Sequence, residues 1–166
     1  MMNMGILNQF NTTETLLIEH LDKDIREIFS TMVGVDISPA QMAVTLTTFN
    51  DCVTGMVGLA GSYNGMLIVT APQKLALTFT SHMLGMDVAE CDNDVHDALG
   101  EITNMIAGSF KHHFVTNGHE AHLSTPSVIS GERYVMTVGT PADTLTLMFE
   151  SGEENFLVSV YVEVGN

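Results

Sequence analysis

Gly100-Glu101-Ile102-Thr103-Asn104-Met105-Ile106-Ala107-Gly108 stands in the middle of a long stretch with helical periodicity. At about 100° per residue, Val95, Leu99, Ile102, Ile106, Phe110 and His113 gather on one side, the side expected to pack on a sheet. Glu101, Asn104 and Gly108, at i, i+3 and i+7, fall on the opposite side, with Asp97 in line. The stretch therefore puts a carboxylate, a carboxamide and a glycine on one exposed face. Gly108 is out of place there, because a glycine in an exposed helix costs about 1 kcal/mol relative to alanine. Close approach by another surface would account for it. Glu and Asn three apart also occur on ordinary solvated helices, so the spacing alone does not make a site.

Outward from this stretch, the helix is expected over Val95–Asn117. Its acidic lead-in, Glu90-Cys91-Asp92-Asn93-Asp94, suits the positive end of the peptide dipoles, and Gly118 suits a C-terminal cap. An earlier helix is expected over Thr12–Val33, capped by Asn11 with Glu14 behind it and stopped by Gly34. Leu17, Leu21, Ile25, Ile28, Phe29 and Met32 form its apolar stripe. Strand-like runs lie at Met42–Phe49, Cys52–Ala60 and Met66–Ala71, rich in Val, Thr and Ile. Pro72 then opens a short helix that ends near Gly85. Beyond a Pro/Ser-containing connection, strands are expected at Tyr134–Gly139, Thr144–Phe149 and Phe156–Val164, the last with clear alternation. No linker or low-complexity tract interrupts the chain. The reading is one α+β domain over residues 1–166, with 1–11 a flexible N-terminal segment.

The two long helices echo one another. A constant 74 residues separates Glu27 from Glu101, Ser30 from Asn104 and Gly34 from Gly108. Helix and strand material follows both copies, as an internal duplication would leave it, with the first copy degenerate at Ser30.

Composition narrows the partners. Twenty acidic residues against five basic ones give a formal charge of −15. That charge repels nucleic-acid phosphates and anionic membrane surfaces, so neither is an expected partner. Cys52 and Cys91 form no CxxC pair, the N-terminus lacks the basic and apolar regions of a signal peptide, and no apolar run approaches the roughly 18 residues of a membrane span. A cytoplasmic location is expected.

At Glu101-Ile102-Thr103-Asn104, continued by Met105-Ile106-Ala107-Gly108, the chain resembles the CheX branch of the CheC/CheX/FliY chemotaxis phosphatases. That family carries Glu-x-x-Asn on a long exposed helix. The resemblance extends to Gly65-Met66-Leu67-Ile68-Val69, Met83-Leu84-Gly85 and Thr125-Pro126-Ser127-Val128-Ile129-Ser130-Gly131. It implies a CheC-like fold, internally duplicated, with long helices packed on a largely antiparallel sheet. CheC-type members carry the motif on both related helices and CheX-type members on one; Ser30 in place of the first Asn looks like the single-site type. Thr103 is a departure, since glycine commonly precedes the Asn. A small effect on packing is expected from it.

The resemblance further implies hydrolysis of the aspartyl-phosphate on a CheY-like response regulator in two-component signalling. Such chemistry needs a water held in line with the scissile P–O bond and stabilisation of the developing charge. By the resemblance, Asn104 orients the attacking water, its amide being both donor and acceptor. Glu101 pairs with a lysine of the partner, and Asp97 and Gly108 belong to the docking surface. No cofactor of the chain's own is implied; magnesium is expected in the partner's active site. Homodimers are common among CheX-like proteins, so a homodimer is expected too.

Two other readings compete. His112, His113, His119 and His122 cluster in sequence, with His96 earlier, but neighbouring His112 and His113 point about 100° apart and no HExxH or Cys/His ligand set is present. His113, on the apolar face, reads as a hydrogen-bonded core residue, and no metal site is assigned. The alternative function is a non-catalytic response-regulator-binding module of the same fold, against which the presence of both Glu101 and Asn104 speaks.

Overall fold

The computed structural model describes residues 2, 4–41, 48–115, 118, 120–138 and 144–164. In chain order these form α1 (Met4–Gln9), α2 (Glu14–Ile28), a π-helical turn (Phe29–Val33), β1 (Ser38–Ala40), β2 (Thr48–Gly61), β3 (Tyr63–Pro72), α3 (Gln73–Leu84), α4 (Asn93–Val115), β4 (Ala121–Leu123), β5 (Ser127–Val135), β6 (Thr144–Ser151) and β7 (Glu154–Val164). All strand pairings are antiparallel.

The sheet runs β1-β6-β7-β3-β2, with both β4 and β5 along the outer side of β2. Setting aside the short β4, this order is symmetric about the β7–β3 pair. Each half of the chain places its third strand at the centre and its second strand outside that. Each half's first strand then pairs with the second strand of the other half. The 74-residue echo between α2 and α4 thus has a counterpart in the topology. Alternation along the strands sends Val53, Val57, Leu67, Val69, Leu145, Phe149, Phe156 and Val158 into one core with the helices. At its centre the rings of Phe29, Phe79, Phe149 and Phe156 pack with centroids 4.9 to 5.5 Å apart. Phe49, Cys52 and Leu157 form a small second cluster.

Several sequence expectations need correction. The N-terminal segment expected to be flexible contains α1, which inserts Ile6 and Leu7 into the main core beside Met2 and Phe10; residues 1 and 3 lie outside the described residues. The cap of α2 is Thr13, whose hydroxyl accepts from the Leu16 amide at 3.2 Å; Asn11 instead takes φ +51 where the chain leaves α1. α2 ends at Ile28 and passes into the π turn that Gly34 closes at φ +83. The wider turn delays the inward-facing position by one residue, so Val33 is buried and Met32 is 60% exposed.

The runs read as two strands around Asn50-Asp51 belong to one strand, because Asp51 absorbs the bend at φ +48 without ending the pairing with β5; residues 42–47 lie outside the described residues. β5 occupies Ser127–Val135, upstream of the expected Tyr134–Gly139, and Gly139 lies outside the described residues. As an edge strand it is mostly exposed, which hides its alternation. β1 and β4, three residues each, were not expected. α3 lies between Pro72 and Gly85 as expected. α4 starts two residues early, and 116–117 lie outside the described residues.

Candidate functional site

Asp92 caps α4: its Oδ1 accepts the Asp94 amide at 3.0 Å. Val95, Leu99, Ile102, Ile106 and Phe110 are each at most 1% exposed, so one face of α4 is wholly committed to the core. At this rate of burial each large aliphatic side chain contributes roughly 1.5–3 kcal/mol, which leaves the helix no freedom to roll. Thr103 is also buried and donates its hydroxyl to the Leu99 carbonyl at 2.6 Å. It faces Gly55 of β2.

Polar contacts hold both flanks. On the α2 side, Asp24 Oδ2 accepts both Ser109 Oγ at 2.6 Å and His113 Nε2 at 2.8 Å. Asp24 was missed from the sequence, since nothing in its spacing marks it; the signal lay in His113 instead, a histidine at the margin of the apolar stripe. His113 is not a core residue, its side chain being 27% exposed. On the β5 side, His96 Nε2 meets Ser130 Oγ at 2.9 Å, and Gly100 lies buried against Pro126 and Val128. Among the described residues no three His, Cys, Asp or Glu side chains are grouped to hold a metal ion; His119 lies outside them. Both cysteines are free, and burial pushes each thiol pKa up, so neither is a poised nucleophile.

Between these flanks α4 leaves one strip open. Asp97 and Glu101 are exposed, and Asn104 and Gly108 are half-buried on the same strip. The structure therefore brings all four together. By helical phase Asn104 is turned about 60° from Glu101 toward the β5 flank. Neither Glu101 nor Asn104 spends its side chain on a hydrogen bond or ion pair with another described residue. A Cβ added at Gly108 would meet nothing within 4 Å, so internal packing gives no reason for glycine there. The first copy is different. Ser30 donates its hydroxyl back to the Glu27 carbonyl at 3.2 Å, and Gly34 ends its helix instead of lying within it. One open carboxylate–carboxamide face exists among the described residues, and it lies on α4. A groove at the α1–α2 junction, lined by Leu7, Thr13, Glu14 and Ile18, is not part of it.

A strip of this kind, convex and almost without cations, is suited to completing a site on another molecule. The family model described as chemotaxis phosphatase CheX matches residues 53–150, a span that takes in β2 from Val53 onward, all of β3 and the whole of α4. The chain belongs to the CheX family. Its similarity to the CheY-P phosphatase CheX of Thermotoga maritima is 31% identity over 77 residues, 46% of this chain and 50% of that protein. The chain thus spans about half the length of the curated relative it matches. The CheX crystal structure from Desulfovibrio desulfuricans superposes with a TM-score of 0.77 at 28% identity, covering 89% of this chain and 99% of that one. A CheX–CheY–BeF3–Mg2+ complex from Borrelia burgdorferi gives a TM-score of 0.74 at 21% identity, covering 89% of this chain and 97% of that one. At that identity the likeness carries the CheX fold alone.

Proposed function

We propose that this CheX-family chain is a phosphatase for the aspartyl-phosphate of a CheY-type response regulator in chemotaxis or related two-component signalling. The observation that carries the reading is the open strip of α4, where the Glu101 and Asn104 side chains make no hydrogen bond or ion pair with another described residue. The similarity to the CheY-P phosphatase CheX of Thermotoga maritima supports a CheY-type partner. In this proposal Glu101 pairs with a lysine of the receiver domain and sets the register. Asn104 then enters the partner's site and holds a water in line with the phosphorus, donating from its amide N–H or accepting at its carbonyl oxygen. Charge stabilisation falls to the partner and the magnesium ion expected in its active site; no step assigned to this chain passes through that ion. A homodimer and a cytoplasmic location belong to the same proposal. Among the described residues no helix is long and apolar enough to cross a membrane.

The test is the decay of phosphorylated receiver domains from the same organism, with and without the chain. Faster decay is expected. Tight binding with unchanged decay would replace the phosphatase with a binding module.

Gly108→Ala separates docking from stability. Alanine is favoured over glycine inside a helix by about 1 kcal/mol, and here it has room. The variant is expected to melt at a higher temperature yet stimulate decay less, through a raised KM for the receiver. A variant both more stable and fully active would remove Gly108 from the docking surface.

A further inference from the structure

The open strip of α4 is polar from end to end. Asp94, Asp97 and Glu101 occupy its N-terminal half, and Lys111 and His112 follow in its C-terminal half. Lys111 is one of five basic residues in a chain with 20 acidic ones. Despite that surplus, its ammonium makes no ion pair or hydrogen bond with any described residue, whereas Arg26 and Lys74 are paired with Asp22 and Glu154. Lys111 lies seven residues beyond Asn104, which is about 20° away in helical phase and about 10 Å along the axis. Cα–Cβ bonds on a helix tilt toward its N-terminus, which for Lys111 is the side of Gly108 and Asn104. Nothing fills the space above Gly108. The strip thus carries an exposed carboxylate at Glu101, a carboxamide at Asn104 and, about two turns beyond it, a cation without a partner among the described residues, with the unobstructed Gly108 between the last two.

We propose that Lys111 is a specificity-determining residue of this face, taking a carboxylate on the surface of the receiver domain while Glu101 takes a cation. Two opposite charges about 15 Å apart along one helix allow a partner with the complementary pair to lie along α4 in one direction only. The inference rests on the proposed reading of the strip as a receiver-docking face. A rival role is favourable interaction with the C-terminal end of the α4 dipole, which would affect stability and nothing else.

The experiment is steady-state decay of a receiver domain phosphorylated with acetyl phosphate, using wild type, Lys111→Gln and Lys111→Glu. Lys111→Glu is expected to raise KM by about tenfold with kcat within about twofold, and Lys111→Gln to fall between. The gap between variants should close at high salt, where exposed charges are screened. Unchanged KM in Lys111→Glu beside an active wild type overturns the proposal, as does a shift confined to melting temperature. Should wild type leave decay unchanged, the phosphatase reading fails separately. Titration of the same receiver domain then decides the role of Lys111: weaker binding by Lys111→Glu supports it, and equal binding overturns it.

Discussion

Asn104→Ala is expected to reduce stimulated decay of the phosphorylated receiver domain by about 100-fold or more, while binding weakens only a few-fold. The side chain is half-buried, makes no hydrogen bond with another described residue and stands on a helix whose opposite face is fully packed. Removing it should therefore leave the fold intact. What disappears is the amide that would hold the attacking water. Loss of near-attack geometry of this kind is worth on the order of 100-fold, or about 2.7 kcal/mol of barrier. Glu101→Ala offers the contrast, since an exposed rim charge acts through encounter and register; its loss should appear mainly as a higher KM, by about tenfold. Single-turnover decay at saturating chain separates the two, because saturation restores Glu101→Ala and does not restore Asn104→Ala. Full activity in Asn104→Ala would end the proposed mechanism.

How far this site could be read from the sequence depends on how strongly each part is tied to periodicity. The commitment of Val95, Leu99, Ile102, Ile106 and Phe110 to the core follows from spacing alone, and with it the exposure of Glu101 on the opposite side. The bounds of α3 were equally legible, because Pro72 and the left-handed Gly85 are local signals. What escaped depends on non-local packing or on backbone irregularity. Six residues of α1 are too few to show a period, and their burial comes from the body of the protein. The π turn moves the buried position from Met32 to Val33, a shift that a constant 100° step cannot contain. Asn50-Asp51 reads as a turn because Asp tolerates positive φ, yet here it bends a strand that goes on pairing. Asp24 reaches Ser109 and His113 across 85 and 89 residues, a contact that only the fold creates.

The largest stability effect is expected where α4 rests on the sheet, at Gly55 of β2. A Cβ on Gly55 would overlap Thr103 Oγ1 and stand 3.1 Å from the Leu99 carbonyl oxygen and 3.2 Å from Thr103 Cβ. All three atoms belong to α4, and both Leu99 and Thr103 are fully buried, so none can yield by turning toward solvent. Gly55→Ala must then push the helix off the strand or force Thr103 from its rotamer, at a cost of about 1–3 kcal/mol. The gain in strand propensity offsets up to about 1 kcal/mol of this. Thr103 stands where the resemblance leads one to expect glycine, and Gly55 is the space that accommodates it. Removing the Thr103 side chain should therefore rescue the strand substitution. Thr103→Gly alone is expected to destabilise, through lost burial and helix propensity, but Gly55→Ala/Thr103→Gly should be more stable than the sum of the single changes by at least about 1 kcal/mol. Denaturant midpoints of the four proteins measure this, and additive losses would refute the pairing. Because Asn104 follows Thr103 directly, Gly55→Ala should also lower stimulated decay, and the double variant should regain part of it as α4 settles back onto β2.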